Sequence, residues 1–492
     1  MRLNPVDLVI VVAYLVGITL FGIRFRRGQQ NIRDYFLGGR TAPWWALAAS
    51  IVATETSTLT IIGTPALAFA GNLGFLQLVF GYLIGRVLIT LVFIPHYFRG
   101  EFYTAYQLIE KRFGERMKSI AAATFLVTRA LAEGVRIAAI ALVVSVVFGT
   151  GERPAVFLVI VLTLIYTFEG GMKAVIWTDV AQLAIYFAGS VAAFLLLLHR
   201  IPGGWAEVTQ VAAAAGGKLS VFNFAFGWSE KYTFWSGLLG GTFLTMASHG
   251  TDQTIVQRLL AARSERESKA ALLASGAIIL AQFTLFLLLG VMLYVYHQHT
   301  PLLAAGQNTD RVFPTFVVRE MPPGLAGLVI AAILAVAMSN ASGSLNSLAA
   351  SSVVDFYRRR AKTAPGFASS PTNDARFLRL SRRMTLVWGV VLLVLGMVQW
   401  GPVLEAGLTV ASLPFGCLLG LFLLGTLNRR ATAHGALAGM IAGLGTILAV
   451  FFFTKVAFTW YVLIGTAATF LVGTLASLFD PGTTIERGIN AG

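Results

Sequence analysis

The chain has 492 residues, of which 57% are hydrophobic and only 12% charged, with 50 glycines, a composition far more apolar than a soluble core requires. A formal charge of +15 would suggest nucleic acid in a soluble chain. Here the basic residues stand in short segments between apolar runs, which argues membrane topology and no nucleic-acid partner. The single cysteine, Cys417, excludes an intramolecular disulfide.

About 20 apolar residues span a bilayer, and thirteen segments meet that length: 7–25, 44–70, 74–98, 118–149, 154–170, 174–198, 232–256, 268–297, 323–352, 384–401, 403–426, 432–454 and 457–479. The first is preceded only by Arg2, is followed by Arg24, Arg26 and Arg27, and shows no A-x-A site. It reads as a retained helix with its N-terminus outside, not a signal peptide. Thirteen spans then put the C-terminus in the cytoplasm, and alternating the loops from there places most Lys and Arg on the cytoplasmic side. The polar stretch from Arg358 to Arg383 reads as a cytoplasmic loop. No soluble domain fits between the spans.

Spans two to six and seven to eleven can be laid out as two five-helix halves of opposite orientation, over 44–198 and 232–426. The first helix of each half carries a polar interruption: Ala53-Thr54-Glu55-Thr56-Ser57-Thr58 in one, Ser248-His249-Gly250-Thr251-Asp252-Gln253 in the other. Unwound backbone at mid-membrane is tolerated only around a cavity or ligand. The alternative is an intact helix whose hydroxyls bond back to their own carbonyls.

Several ordered motifs fall on these loops and spans. They are Asp34 to Arg40 (DYFLGGR), Thr104 to Gly114 (TAYQLIEKRFG), Gly170 to Asp179 (GGMKAVIWTD), Asp252 to Arg258 (DQTIVQR), and Ser339 to Asp355. Together they resemble the sodium:solute symporter family over nearly the full length. That resemblance implies an all-α membrane protein of about 13 helices, a LeuT-type 5+5 inverted repeat preceded by one helix and followed by two. It further implies a transporter in the cell membrane that carries a small organic solute inward with sodium as coupling ion, with no other cofactor and no obligate protein partner. Relatives carry sugars, amino acids, carboxylates, vitamins, iodide and sialic acids.

Sodium is a hard cation that takes about five or six oxygens, which freed carbonyls and hydroxyls can supply. The resemblance places the common sodium site on the carbonyls of Ala53 and Thr56 in the second span and on Val336, Ser339 and Asn340 in the ninth. Asn340 departs from the Ser or Thr usual in relatives, though its amide oxygen can still ligate sodium. A second sodium site in some relatives matches Asp179, Ser339 and Ser342 here, with Gly343 in place of a hydroxyl, so one ion and two remain open. Close helix approach is the alternative role for Ser339 and Ser342.

For the solute, Glu55 is a functional candidate because an ionisable group at that depth is costly to bury uncompensated. It can contact sodium, bond the solute, take a proton, or pair with Arg86 or Arg136. Ser57 and Thr60 stand where relatives touch solute. Arg129, Glu133 and Arg136 share one helix face at spacings of four and three, which leaves one arginine to spare. The resemblance to sialic-acid carriers of the family assigns Arg136 to a solute carboxylate, received bidentately. Asp252, Gln253 and Thr254 occupy the region of an aromatic inner gate in sugar-carrying relatives. Thr254 in place of that ring weakens a sugar assignment, while Phe75 offers an aromatic wall on the third span. The histidines are scattered and show no metal-ligand spacing, so an enzyme is not expected. Proton coupling through Glu55 and a sodium/sugar symporter are the alternative readings.

Overall fold

In the computed structural model the described residues are 4–25, 31–148, 152–304, 306–357, 371–398 and 403–480, and every regular element among them is helical. In chain order the helices are α1 (Pro5–Ile23), α2 (Ile32–Leu37), α3 (Trp44–Glu55), α4 (Thr58–Ala70), α5 (Leu76–Val92), α6 (Ile94–Phe98), α7 (Tyr106–Phe148) and α8 (Glu152–Arg200). There follow α9 (Gly204–Ala214), a π-helical turn at Ser236–Gly240, α10 (Gly241–Gly250), α11 (Gln253–Leu260), α12 (Glu265–His299), α13 (Val312–Glu320) and α14 (Leu325–Ser351). The chain closes on α15 (Pro371–Gly396), α16 (Val403–Leu427), α17 (Ala433–Phe453) and α18 (Tyr461–Leu478).

The described residues of each of the thirteen apolar segments lie mainly on one of these helices or on a broken pair of them. Among the described residues, seven helices are long and apolar enough to cross a bilayer by themselves, and α3 with α4, bent by 66° at a short break, makes an eighth. The remaining segments are interrupted, shorter, or charged: the seventh is split between α10 and α11, and α7 carries Arg129, Glu133 and Arg136. Segments 154–170 and 174–198 are joined in α8 and separated at Gly171, whose φ of 54° with ψ of −152° turns the chain where a side chain would be strained. The expected polar loop over 358–383 is shorter than the sequence suggests. Helix α15 begins at Pro371, and 358–370 lie outside the described residues.

The first polar interruption is a real break, narrower than its sequence. Helix α3 ends at Glu55, Thr56 is extended (φ −72°, ψ 116°), and Ser57 caps α4 by accepting from Thr60 N at 3.2 Å while Thr60 Oγ1 accepts from Ser57 N. The second interruption breaks likewise at Thr251 and Asp252, and Asp252 Oδ1 accepts from Thr254 N at 2.7 Å to start α11.

Helix α14 is the axis of the core, buried along almost its whole length and packed on α8, α7 and α1. The buried Asp7 of α1 fixes its start by accepting from Gly324 N and Gly327 N at 2.7 and 2.8 Å, which satisfies helix-end donors that lipid could not. The break is backed by α12, which packs on both α3 and α4. Contact there is backbone to backbone: a Cβ at Gly290 would lie 2.1 Å from the carbonyl oxygen of Pro65. Gly290→Ala should therefore lower stability by about 1–3 kcal/mol, the usual overpacking cost. Gly445→Ala, where nothing lies within 4 Å, should leave the thermal midpoint of the detergent-solubilised protein unchanged.

Candidate functional site

Around the two breaks lies a cavity of about 230 Å³, lined by Glu55, Ser57 and Thr60 of the first break, by Ser248, His249 and Asp252 of the second, and by Arg129 and Arg136 of α7. Phe75, Phe283 and Tyr232 form an aromatic wall, with Phe75 centred 5.1 Å from Phe283 and 5.5 Å from Tyr232. Five of the sequence candidates for solute contact thus meet in one space: Glu55, Ser57, Thr60, Phe75 and Arg136. Gln253 and Thr254 lie outside the lining. Gln253 is fully buried, accepting from Ala105 N at 2.7 Å and donating to Tyr103 O at 3.0 Å, while Thr254 shares a 3.0 Å hydrogen bond with Ser347.

Three buried sets of charges bear on the cavity and the breaks. Glu55 pairs with Arg86, and His249 Nε2 lies 3.2 Å from Glu55 and 3.3 Å from Arg86 Nη2. Arg86 is in turn fixed by donating to Ser275 Oγ and Tyr82 O, each at 3.2 Å. Of the partners considered for Glu55, Arg86 is the one in contact.

On α7 both arginines share Glu133. Arg129 approaches it at 3.4 Å, donates through Nε to Ser344 Oγ at 2.9 Å, and lies 4.0 Å from Asp252. Ser344 donates to the same Glu133 Oε2 at 2.8 Å. Arg136 makes one bond to Glu133, at 3.3 Å, and is the more exposed of the two, at 22% against 10%.

The third set lies away from the cavity. Asp179 accepts from Ser50 Oγ at 2.5 Å, Ser339 Oγ at 2.6 Å and Arg258 Nη2 at 2.8 Å. Ser342 instead donates to Ser339 O at 2.9 Å. Gly343 makes the room for Arg258: a Cβ there would stand 2.9 Å from Nη2. Arg258 and His249 were not singled out in the sequence, where a buried arginine inside a motif carries no sign of its partner.

Between this set and the break lie the oxygens proposed for sodium. Ala53, Thr56, Val336, Ser339 and Asn340 are all buried. Because Ser57 N donates to Thr60 Oγ1, the carbonyl of Ala53 loses the donor a continuous helix would give it. The carbonyl of Thr56 meets Asn340 Nδ2 at 2.5 Å, and the same nitrogen donates to Val336 O at 3.0 Å. Asn340 Oδ1 is buried with no hydrogen-bond partner. Carbonyl, hydroxyl and amide oxygens with no soft ligand are a donor set suited to a hard monovalent cation.

The sequence profile of the sodium:solute symporter family matches residues 35–443. The chain belongs to that family. It is 30% identical to the sodium/sialic acid symporter SiaT of Proteus mirabilis, over 98% of this chain and 97% of the relative. It is 31% identical to the sodium/sialic acid symporter NanT of Aliivibrio fischeri, over 94% and 91%. A solved sodium-coupled sialic acid symporter, substrate-bound and outward-open, superposes with a TM-score of 0.88 at 28% identity, over 97% of this chain and 98% of that one. Mhp1, a nucleobase-cation-symport-1 family transporter, shares the fold at a TM-score of 0.57 and 15% identity. The protein is thus a sodium-coupled symporter of a small organic solute and not an enzyme.

For this symporter the Glu55–Arg86 pair fastens the break to α5. Arg86→Leu removes one partner of a buried pair, which costs about 3–5 kcal/mol. Loss of monodisperse protein or a sharply lowered thermal midpoint is expected, and Glu55→Gln in the same chain should recover much of it. Equal midpoints for the single and double variants would assign the loss to Arg86 packing instead.

Proposed function

We propose that the solute of this symporter bears a carboxylate, received by Arg136, and that one sodium ion enters the oxygen set of Ala53, Thr56, Val336, Ser339 and Asn340. The observation that carries the first half is the unequal tie of the two α7 arginines. Glu133 keeps Arg129 and Ser344 as partners when Arg136 turns to an incoming anion. No buried charge is then stranded, and the guanidinium exchanges one carboxylate for another in a planar two-donor geometry. Glu55, Ser57, Thr60 and Phe75 would hold the remainder of the solute, with hydroxyl or amide groups against the polar side and apolar carbons on the ring. Sialic acids, which the two bacterial relatives carry by name, fit that description. Gln253 and Thr254 are assigned a supporting role behind the cavity.

The reading extends to topology: thirteen spans, inverted halves over 44–198 and 232–426, the N-terminus outside and the C-terminus cytoplasmic. The two broken helices, each opening a half, support it. Proton coupling at Glu55 is disfavoured because the guanidinium of Arg86 already compensates that carboxylate. For a second sodium at Asp179, Ser339 and Ser342, the guanidinium of Arg258 already supplies the positive charge that Asp179 requires. One coupling ion is therefore the simpler reading.

Proteoliposomes given an inward sodium gradient should accumulate N-acetylneuraminic acid, with a Hill coefficient for sodium near one. Equal accumulation with choline replacing sodium would end the sodium assignment, and a Hill coefficient near two would restore a second ion. Arg136→Ala should weaken binding of the acid roughly ten- to hundredfold, from the about 1.5–3 kcal/mol of a hydrogen bond to a charged group. The corresponding amide should lose far less, and equal losses would make the arginine structural.

A further inference from the structure

The amide of Asn340 occupies the place where the coupling ion is assigned. Its Nδ2 lies between Thr56 O at 2.5 Å and Val336 O at 3.0 Å. Both partners are acceptors, so the nitrogen and not the oxygen of the amide must face them. One carbonyl belongs to the break of the second span, the other to the ninth span. An amide nitrogen carries two hydrogens, one for each carbonyl. The other end of the same group, Oδ1, is buried and unpartnered, an arrangement that native proteins seldom leave unexplained.

We propose that Asn340 is an internal stand-in for the coupling cation. In the ion-free protein its NH2 group satisfies the Thr56 carbonyl that the break exposes and, with its second hydrogen, bonds the Val336 carbonyl of the unbroken α14. When sodium enters, the amide turns about its terminal bond and presents Oδ1 to the ion. This inference rests on the sodium site proposed above and adds a role for the side chain there.

Two consequences follow from the chemistry. Freed carbonyls in a water-poor interior are costly, so the amide stabilises the broken helix with no ion present. Sodium must compete with that internal donor, and its apparent affinity is scaled down to the fraction of ion-free protein already in the amide-out state. A serine at this position has a single hydrogen and a shorter reach, so it satisfies at most one carbonyl while still offering an oxygen. An aspartate keeps the shape of asparagine, has no such donor when ionised, and attracts the ion.

The test is thermal unfolding of the detergent-solubilised full-length protein across sodium chloride concentrations, with choline chloride holding ionic strength constant. Asn340→Ser should lower the unfolding midpoint in choline alone, enlarge the rise produced by sodium, and cut the half-saturating sodium about fivefold. Asn340→Asp, close to isosteric, should cut it at least as far. Unchanged or weakened sodium affinity in both variants overturns the proposal. Ser339→Ala separates the two ideas. If it raises the half-saturating sodium while the Asn340 variants fail to lower it, the site stands and the amide is an ordinary ligand. If Ser339→Ala has no effect on sodium, the ion binds elsewhere and the stand-in falls with the site.

Discussion

Two residues of unwound backbone at Thr56 and Ser57 govern the arrangement of everything around them, because a broken helix inside a bilayer leaves carbonyls and amides that lipid cannot satisfy. The Thr56 and Ser57 groups and the polar side chains beside them are met from different directions. Ser57 and Thr60 exchange bonds within the new helix start. The Thr56 hydroxyl contacts Gln282 of α12 and Tyr186 of α8 at 3.2–3.3 Å, with Gln282 Nε2 donating back at 2.8 Å. The Thr56 carbonyl is taken by Asn340 of α14, and the Glu55 side chain by Arg86 of α5. Four helices thus converge on one break, and their positions are fixed by what it lacks.

The buried charges follow the same logic of compensation. Asp179 has Arg258, Glu55 has Arg86, and Glu133 has Arg129 with Arg136. Ionised groups at that depth persist only when paired, so the informative one is the arginine whose carboxylate would not be stranded by its departure. Arg129 and Arg136 share Glu133 and both line the cavity, but Arg129 is also tied to Ser344 and lies 4.0 Å from Asp252, so Arg136 is the one more weakly held. Arg258 illustrates the opposite case. It donates to Ser50, to the Thr254 carbonyl and to Asp179, and a residue engaged on so many sides is a fixture of the fold.

The family and the apolar segments were legible because hydropathy and ordered motifs lie along the chain and need no partner to be read. The first break was legible too, since six consecutive polar or small residues in a span signal unwinding. Its extent was not: Thr54 Oγ1 bonds back to Ser50 O at 2.8 Å, which keeps that part of the polar run helical. Pairings were the least legible. Arg86 and Glu55 are 31 positions apart, Arg258 and Asp179 79 apart, and nothing in composition or period links them. Gln253 and Thr254 were read as solute contacts from their place beside the second break. They follow Asp252 on α11, which carries them into the wall behind the cavity.

The site also supplies a physical reason for ion and solute to be coupled. Thr56 offers its carbonyl toward α14, while its neighbours Glu55 and Ser57 face the cavity. A cation that draws the Thr56 carbonyl fixes the backbone of the residues on either side. The solute then meets a break already ordered, and avoids part of the entropic cost of ordering it. Reciprocity requires a bound solute to favour the cation by the same factor. With sodium in the proposed site, coupling would need no long pathway across the protein, because both ligands would act on three consecutive residues, Glu55 at the end of α3 and the extended Thr56 and Ser57.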